Sequence, residues 1–373
     1  MGLELKNLYD DFRDADTIKA YAKIINEDAK KLENPINIME VCGGHTHTIM
    51  KYGIPQLLPA NIKFVHGPGC PVCIMPKERI DHAYVLSMQE DVILVTLGDM
   101  IKVPGSNGSL QAARAKGADV RFVYSPLDSL KIARENPDSK VIFFAIGFET
   151  TTPMTAALLD AVIKQNIKNI FFHINHVTVP QAMAALISDG KANIDAFLGP
   201  AHVSVISGSK IYEEFPRDFN KPVVVSGFEP VDVMHSISMI VKQFIENRCE
   251  LETEYKRAVN RDGNIKAQKL IGTYFEQAQN FGWRGLGNIP KSGLKLRDKY
   301  RDYNAEVLYK DILPRDEIKD HKLCICGDIL KGLANPHECT IFGTACKPTS
   351  PVGSCMVSSE GACAAYYKYG NLV

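Results

Sequence analysis

Ten cysteines are the residues in this chain best placed to do chemistry: Cys42, Cys70, Cys73, Cys249, Cys324, Cys326, Cys339, Cys346, Cys355 and Cys363. Six of them fall in the last 50 of 373 residues, which a scatter of core cysteines would not do. In a reducing compartment such clustering points to metal or redox chemistry rather than to a disulfide framework. Cys42 opens the run Cys42-Gly43-Gly44-His45-Thr46-His47. At a strand end that starts a helix, it reads as an exposed thiolate whose pKa is lowered by the helix N-terminus and a nearby imidazole. The bland alternative is a buried cysteine with a capping histidine. Cys70-Pro71-Val72-Cys73 reads either as a redox dithiol or as half of a zinc site completed from the tail. The tail spacing (Cys324-x-Cys326, then Cys339, Cys346, Cys355 and Cys363) fits a four-thiolate iron–sulfur cluster plus one extra pair. Zinc or disulfides are the alternatives, and the bacterial ferredoxin spacing is absent.

Other polar residues carry less. Asp99 and Glu149 stand where general acids or bases would, yet either could equally cap a helix. His82, His235, His321 and the lone Cys249 read as structural, and Trp283 as a packing anchor. No G-x-x-x-x-G-K-[ST] loop, no G-x-G-x-x-G after a strand and no H-E-x-x-H occurs, so nucleotide-driven and hydride-transfer chemistry are not indicated.

Elements that could position these residues alternate between strand and helix. Short apolar runs bounded by turn residues read as buried parallel strands at Ile36–Val41, Ile62–Val65, Val92–Leu97 and Val120–Tyr124. A second set follows at Val141–Ile146, Ile170–Ile174, Ile194–Leu198 and Val223–Ser226. Helical patterns between them include Lys77–Gln89, Thr155–Lys164 and Gln181–Ser188. The expected class is α/β: two similar parallel-sheet domains, 1–128 and 129–231, then a helical, cysteine-rich domain over 232–373. Helices are expected at Val233–Ile245, Glu250–Val259 and Ile265–Gln279. In open α/β sheets ligands bind beyond the carboxyl ends of strands. Cys42, the Gly67–Cys73 loop, Gly98-Asp99, Gly147–Thr151, Asn175-His176 and His202 all fall there.

Composition sets the outer bounds. Basic and acidic residues balance at 43 each, which removes the electrostatic footprint of a nucleic-acid binder or a polybasic membrane protein. Neither a signal peptide nor an apolar run long enough to span a bilayer is visible, so the expected address is the cytoplasm.

Taken together, the motifs resemble the HypD family of [NiFe]-hydrogenase maturation factors. The resemblance rests on CGGHTH at 42–47, GPGCPVC at 67–73, GDMIKVPG at 98–105, GFETTTP at 147–153, NHVTVP at 175–180 and WRGLGNIPKSGL at 283–294. The tail segments CICGDIL, CTIFGTAC and SCMVSSEGACAAYY complete it, and it covers nearly the whole chain. It implies a scaffold that pairs with a HypC-type chaperone to hold the iron on which Fe(CN)2CO is built. Cyanide is expected from a HypE-type donor as a protein-bound thiocyanate, and the product goes on to the hydrogenase large subunit. It also implies a [4Fe–4S] domain. By position Cys42, with His45 beside it, matches the iron-binding cysteine, and Cys70 and Cys73 match the thiol pair. The tail is similar to ferredoxin:thioredoxin reductase. That likeness implies Cys324, Cys339, Cys346 and Cys363 as cluster ligands and Cys326 and Cys355 as the adjacent redox pair. A thioredoxin-reductase-like iron–sulfur oxidoreductase is the alternative function.

Overall fold

Runs of Val, Ile and Phe with no polar break can be buried on both faces, and here they build two parallel sheets. The computed structural model describes residues 10–315, 318 and 320–370. The strands are β1 (Ile36–Glu40), β2 (Ile62–His66), β3 (Val92–Leu97), β4 (Asp119–Val123), β5 (Lys140–Gly147), β6 (Ile170–His176), β7 (Ala196–Pro200), β8 (Val223–Ser226) and β9 (Leu251–Thr253). The first sheet has the order β2-β1-β7-β8-β9 and the second β4-β3-β5-β6. Every pairing in both is parallel.

Sheet membership departs from the expected division into two consecutive sets of four. The second sheet is assembled from β3 to β6 and is inserted between β2 and β7 of the first. The reason is non-local: β1 pairs with both β2 and β7, and no local pattern records that choice. The boundary between 128 and 129 therefore runs through the second sheet.

Helices cover the first sheet on one face. Pro230–Ile245 starts from a capping box between Glu229 and Asp232, with Pro230 in the first turn. It lays Val233, Ile237, Ile240 and Val241, all fully buried, against the sheet beside Ala15–Ala29. The opposite face of the sheet meets the cysteine-rich tail. Met39, Val41, Phe197, Cys70, Cys73, Trp283, Cys326, Cys355 and Cys363 belong to one apolar cluster.

The region after 232 is less helical than expected. Glu250–Val259 is not a helix: Leu251–Thr253 adds the edge strand β9 beside β8, and a turn follows. Tertiary pairing has overridden a weak local preference. The helix expected over 265–279 stops at Tyr274, where the chain turns into β10 (Phe275–Gln277). That strand pairs with β13 (Leu294–Leu296), while β11 (Asn280–Trp283) pairs with β12 (Gly287–Pro290). Trp283 is the expected anchor: it is buried, and its indole N–H donates to Ser292 Oγ at 2.8 Å. No helix among the described residues is long and apolar enough to cross a membrane.

The interleaving has a direct consequence. A fragment of residues 1–128 holds two of the five strands of the first sheet and two of the four of the second. Expressed alone, it is expected to show no cooperative thermal transition by circular dichroism. A sigmoidal melt of the isolated fragment would contradict this topology.

Candidate functional site

Each sheet reverses its strand order once, and such a switch point opens a crevice at the strands' carboxyl ends. In the first sheet the reversal lies at β1 and β7, whose following residues are Cys42 and His202. In the second it lies at β3 and β5, which lead into Asp99 and Glu149.

Cys42 is the N-cap of the helix Gly43–Lys51, and its Sγ accepts from the Gly44 N–H at 3.4 Å. The neighbouring loop packs directly on it. A Cβ at Gly69 would lie 2.3 Å from the Cys42 nitrogen, so only glycine permits the approach. The Gly43 N–H donates to the Gly69 carbonyl at 3.2 Å, which fixes the Cys42 and Cys70 loops together.

Two expectations about Cys42 are corrected. The thiol is not exposed in an open cleft; it is 4% exposed. Its pKa is raised, not lowered. Burial is the main cause and Glu360 and Glu40 add to it, against the weaker help of the Gly44 and His45 backbone N–H groups. The histidine at the sulfur is also not His45. The His45 Nε2 bonds to the carbonyls of Gly227 at 3.0 Å and Ser226 at 3.3 Å, and its ring stacks on Phe228. Three positions into a helix, its side chain points away from the cap. His202, beyond β7, places both ring nitrogens 3.9 Å from Cys42 Sγ. Burial lowers it to about 4, so it is neutral at pH 7.

Glu360 closes the other side of this site. Its backbone lies against Gly43, and its carboxyl is pushed up by burial and then by the Asp99 charge. Asp99 thus borders the site, paired with Lys102 at 3.1 Å. A hollow of about 370 Å³, lined by Gly44, His47, Phe228, Glu229 and Glu360 among others, opens over the helix start. Behind Cys42, Glu40 is fully buried. It accepts from Thr46 at 2.7 Å and meets His66 at 2.5 Å, which reaches Tyr366 at 2.9 Å.

Cys70 and Cys73 are both buried, and Cys73 lies in the interior beneath the tail. Its Sγ donates to the Ser354 carbonyl at 3.9 Å, while Ser354 Oγ donates to the Cys73 carbonyl at 2.5 Å. Burial raises the Cys73 thiol, and its sulfur interacts with both Cys355 and Cys70. Cys355 interacts in turn with Cys326 and Cys363, and Cys326 with Cys324. All six tail cysteines line one small pocket, whose other walls include Ile329, Ile341, Phe342 and Met356.

The donor set of that pocket is six sulfurs on an apolar background, which suits a soft, thiolate-ligated group. Among the described residues the one group of three ligand atoms mutually within 4.8 Å is His82, His173 and Glu306. The His82 group is occupied by its own bonds. His82 Nδ1 meets His173 Nε2 at 3.0 Å, and Arg79 takes both Glu306 oxygens.

Comparison with known proteins decides the family. The model described as "Hydrogenase formation hypA family", HypD, matches residues 16–370. The chain belongs to the HypD family. The chain is 48% identical to the hydrogenase maturation factor HypD2 of Bradyrhizobium diazoefficiens, over 97% of this chain and 96% of that one. The HypD of Azotobacter vinelandii is 47% identical over the same shares. That of Escherichia coli is 43% identical over 96% of this chain and 97% of its own. Within this HypD chain, sequence reasoning missed His202 as the sulfur's neighbour and missed Glu360 and Glu40 altogether. His202 was visible only as one of several residues at strand ends. Cys249 is outside the site, its Sγ 3.7 Å from the Pro216 carbonyl.

Glu149 gives a pH test of the second switch point. Its Oε1 accepts from the Val179 N–H at 3.0 Å, and its Oε2 is buried without a partner. Burial raises it to about 7. A carboxyl raised above its unfolded value contributes stability at low pH that is lost as pH rises through 7. Glu149→Gln keeps the acceptor and cannot ionise. Its stability relative to the unmodified chain is expected to grow by about 2 kcal/mol from pH 5 to pH 7.5. Urea unfolding at the two values measures it, and parallel profiles would count against a buried neutral carboxyl.

Proposed function

We propose that this chain is the scaffold and redox component on which the Fe(CN)2CO moiety of [NiFe]-hydrogenase is assembled. It works with a HypC-type chaperone, takes cyanide from a HypE-type donor and serves the hydrogenase large subunit indirectly. The observation that supports this most is the line of buried sulfurs that runs from the tail pocket of Cys324, Cys326 and Cys355, through Ser354 bonded to both Cys326 and Cys73, to Cys70. It ends in the loop that is hydrogen-bonded to the Cys42 loop.

The iron is cargo. Low-spin iron with cyanide and carbonyl ligands is soft and prefers thiolate. One cysteine from this chain, completed by one from the chaperone, can hold it and still let go, whereas a closed four-cysteine cage would not. The raised pKa keeps Cys42 a thiol until iron displaces its proton. Neutral His202 at 3.9 Å supplies a hydrogen-bonding partner at that moment.

Electrons are the second requirement. Releasing cyanide from a thiocyanate breaks the S–C bond and needs two electrons, which leave the donor sulfur as thiolate and the carbon as cyanide. Cys70 and Cys73 supply them by closing to a disulfide. Cys355 then attacks Cys73, and Cys326 resolves the mixed disulfide, which restores the Cys70/Cys73 dithiol. Cys324, Cys339, Cys346 and Cys363 would hold a [4Fe–4S] cluster, which when bound would supply one-electron chemistry beside the Cys326/Cys355 pair.

Cys70→Ala is expected to abolish cyanide attachment to the iron, read by the infrared nitrile bands of the complex. Iron and acid-labile sulfide should stay at about four each per chain. Normal cyanide transfer in this variant would overturn the relay.

A further inference from the structure

On the proposed reading Cys42 meets an iron that arrives from outside, yet the residue is 4% exposed. Something over the sulfur therefore has to move. Two of its covers are backbone: the Gly69 loop, bonded to Gly43 at 3.2 Å, and Glu360, whose backbone lies against Gly43. The others are two rings, His202 and Phe228.

Phe228 lies in the turn between β8 and the helix Pro230–Ile245. Its backbone is fixed. The Thr48 hydroxyl donates to the Phe228 carbonyl at 2.6 Å, and His45 Nε2 is bonded to the Gly227 carbonyl at 3.0 Å. The ring is held by stacking instead. It is sandwiched between two imidazoles, with centroids 4.6 Å from His45 and 4.9 Å from His202. A Cβ on Gly44 would lie 2.8 Å from Phe228 Cδ1 and 3.6 Å from Cys42 Sγ, so the ring and the sulfur flank the same glycine.

His202 depends on this ring for its place. Among the described residues, Cys42 Sγ is the only hydrogen-bonding partner of its two ring nitrogens, each at 3.9 Å. On the far side of the ring is the hollow of about 370 Å³, which Phe228 and Gly44 line and Cys42 and His202 do not. Phe228 is thus the side chain between the hollow and the sulfur. Stacking contacts are weak and side-chain rotations fast, so this ring can swing where the hydrogen-bonded backbone stays.

We propose that Phe228 is the gate of the iron site: stacked between His45 and His202, its ring closes the Cys42 sulfur off from the hollow, sets His202 against it, and swings aside to admit the metal. It acts through His202 and through access, so it is a positioning residue. His45, which does not reach the sulfur, fixes the turn that carries the gate. The inference rests on the reading of Cys42 as the ligand of the cargo iron.

The test uses the full-length chain, purified anaerobically and without added iron. Iodoacetamide is the probe, and peptide mapping by mass spectrometry reads the alkylation rate of each cysteine. Labelling of a covered thiol follows the population of the open state, so Phe228→Ala is expected to alkylate at Cys42 about tenfold faster. Cys70 and Cys73 should keep their unmodified rates. Phe228→Tyr keeps the ring and should stay close to the unmodified chain. Thr48→Val removes the bond that fixes the turn and should raise Cys42 alone, by a smaller factor. A merely structural role would loosen all three cysteines together. An unchanged Cys42 rate in Phe228→Ala, a Tyr variant as fast as Ala, or a rise shared by Cys70 and Cys73 would overturn the gate. If Phe228→Ala fails to fold, Thr48→Val decides: a rise confined to Cys42 supports the gate and no rise overturns it. These rates are read without iron, so they do not depend on the reading of Cys42 as its ligand. That reading falls if a Cys42→Ala chain still gains the infrared nitrile bands of the assembled iron.

Discussion

The reciprocal clasp between Cys73 and Ser354 is the interaction on which the rest of the arrangement depends. Two hydrogen bonds run between these residues in opposite directions, and both are buried. They hold a tail with little regular structure of its own against the underside of the first sheet. The apolar cluster they close contains β1 and β7 residues, both thiol pairs and Trp283. Breaking the clasp would leave the buried Cys73 carbonyl short of a donor, at about 1–3 kcal/mol, while the Ser354 carbonyl keeps the Val357 N–H. It would also part Cys355 from Cys73. The tail is therefore part of the core of the first sheet, and the thiol line depends on that packing.

Burial also settles the character of Cys42. A helix N-terminus favours a thiolate by about 0.3–1 kcal/mol, rarely more than ~2. Removing a thiolate from water shifts its pKa by several units, at 1.36 kcal/mol each. Here the second effect wins, and the carboxyls of Glu360 and Glu40 reinforce it. The site is thus a protected, protonated thiol. A surface nucleophile would need the opposite balance.

Much of this was legible in the sequence, and the failures share a cause. β3 and β8 were readable because Val92–Leu97 and Val223–Ser226 are apolar on both faces, which only a buried parallel strand accommodates. The loops carrying Cys42, Cys70 and Asp99 were readable because ligand sites follow strand ends. What escaped notice was non-local. His45 lies three residues from Cys42 and points elsewhere, while His202 reaches the sulfur because β7 pairs with β1. Glu360 arrives from the tail, and the interleaving of the two sheets is a choice of partners that no local period encodes. Leu251–Thr253 took a strand's form because β8 offered an edge.

The central claim is that electrons pass from the tail to the loop pair by exchange between Cys355 and Cys73. The most direct measurement removes the two flanking thiols, Cys70→Ser with Cys326→Ser, and oxidises the variant mildly. Peptide mapping without reduction should then show Cys73 joined to Cys355, the arrested intermediate of the exchange. If both sulfurs stay free to alkylation under conditions that oxidise the unmodified chain, the two pairs do not communicate. The thiol line would then be a packing feature only.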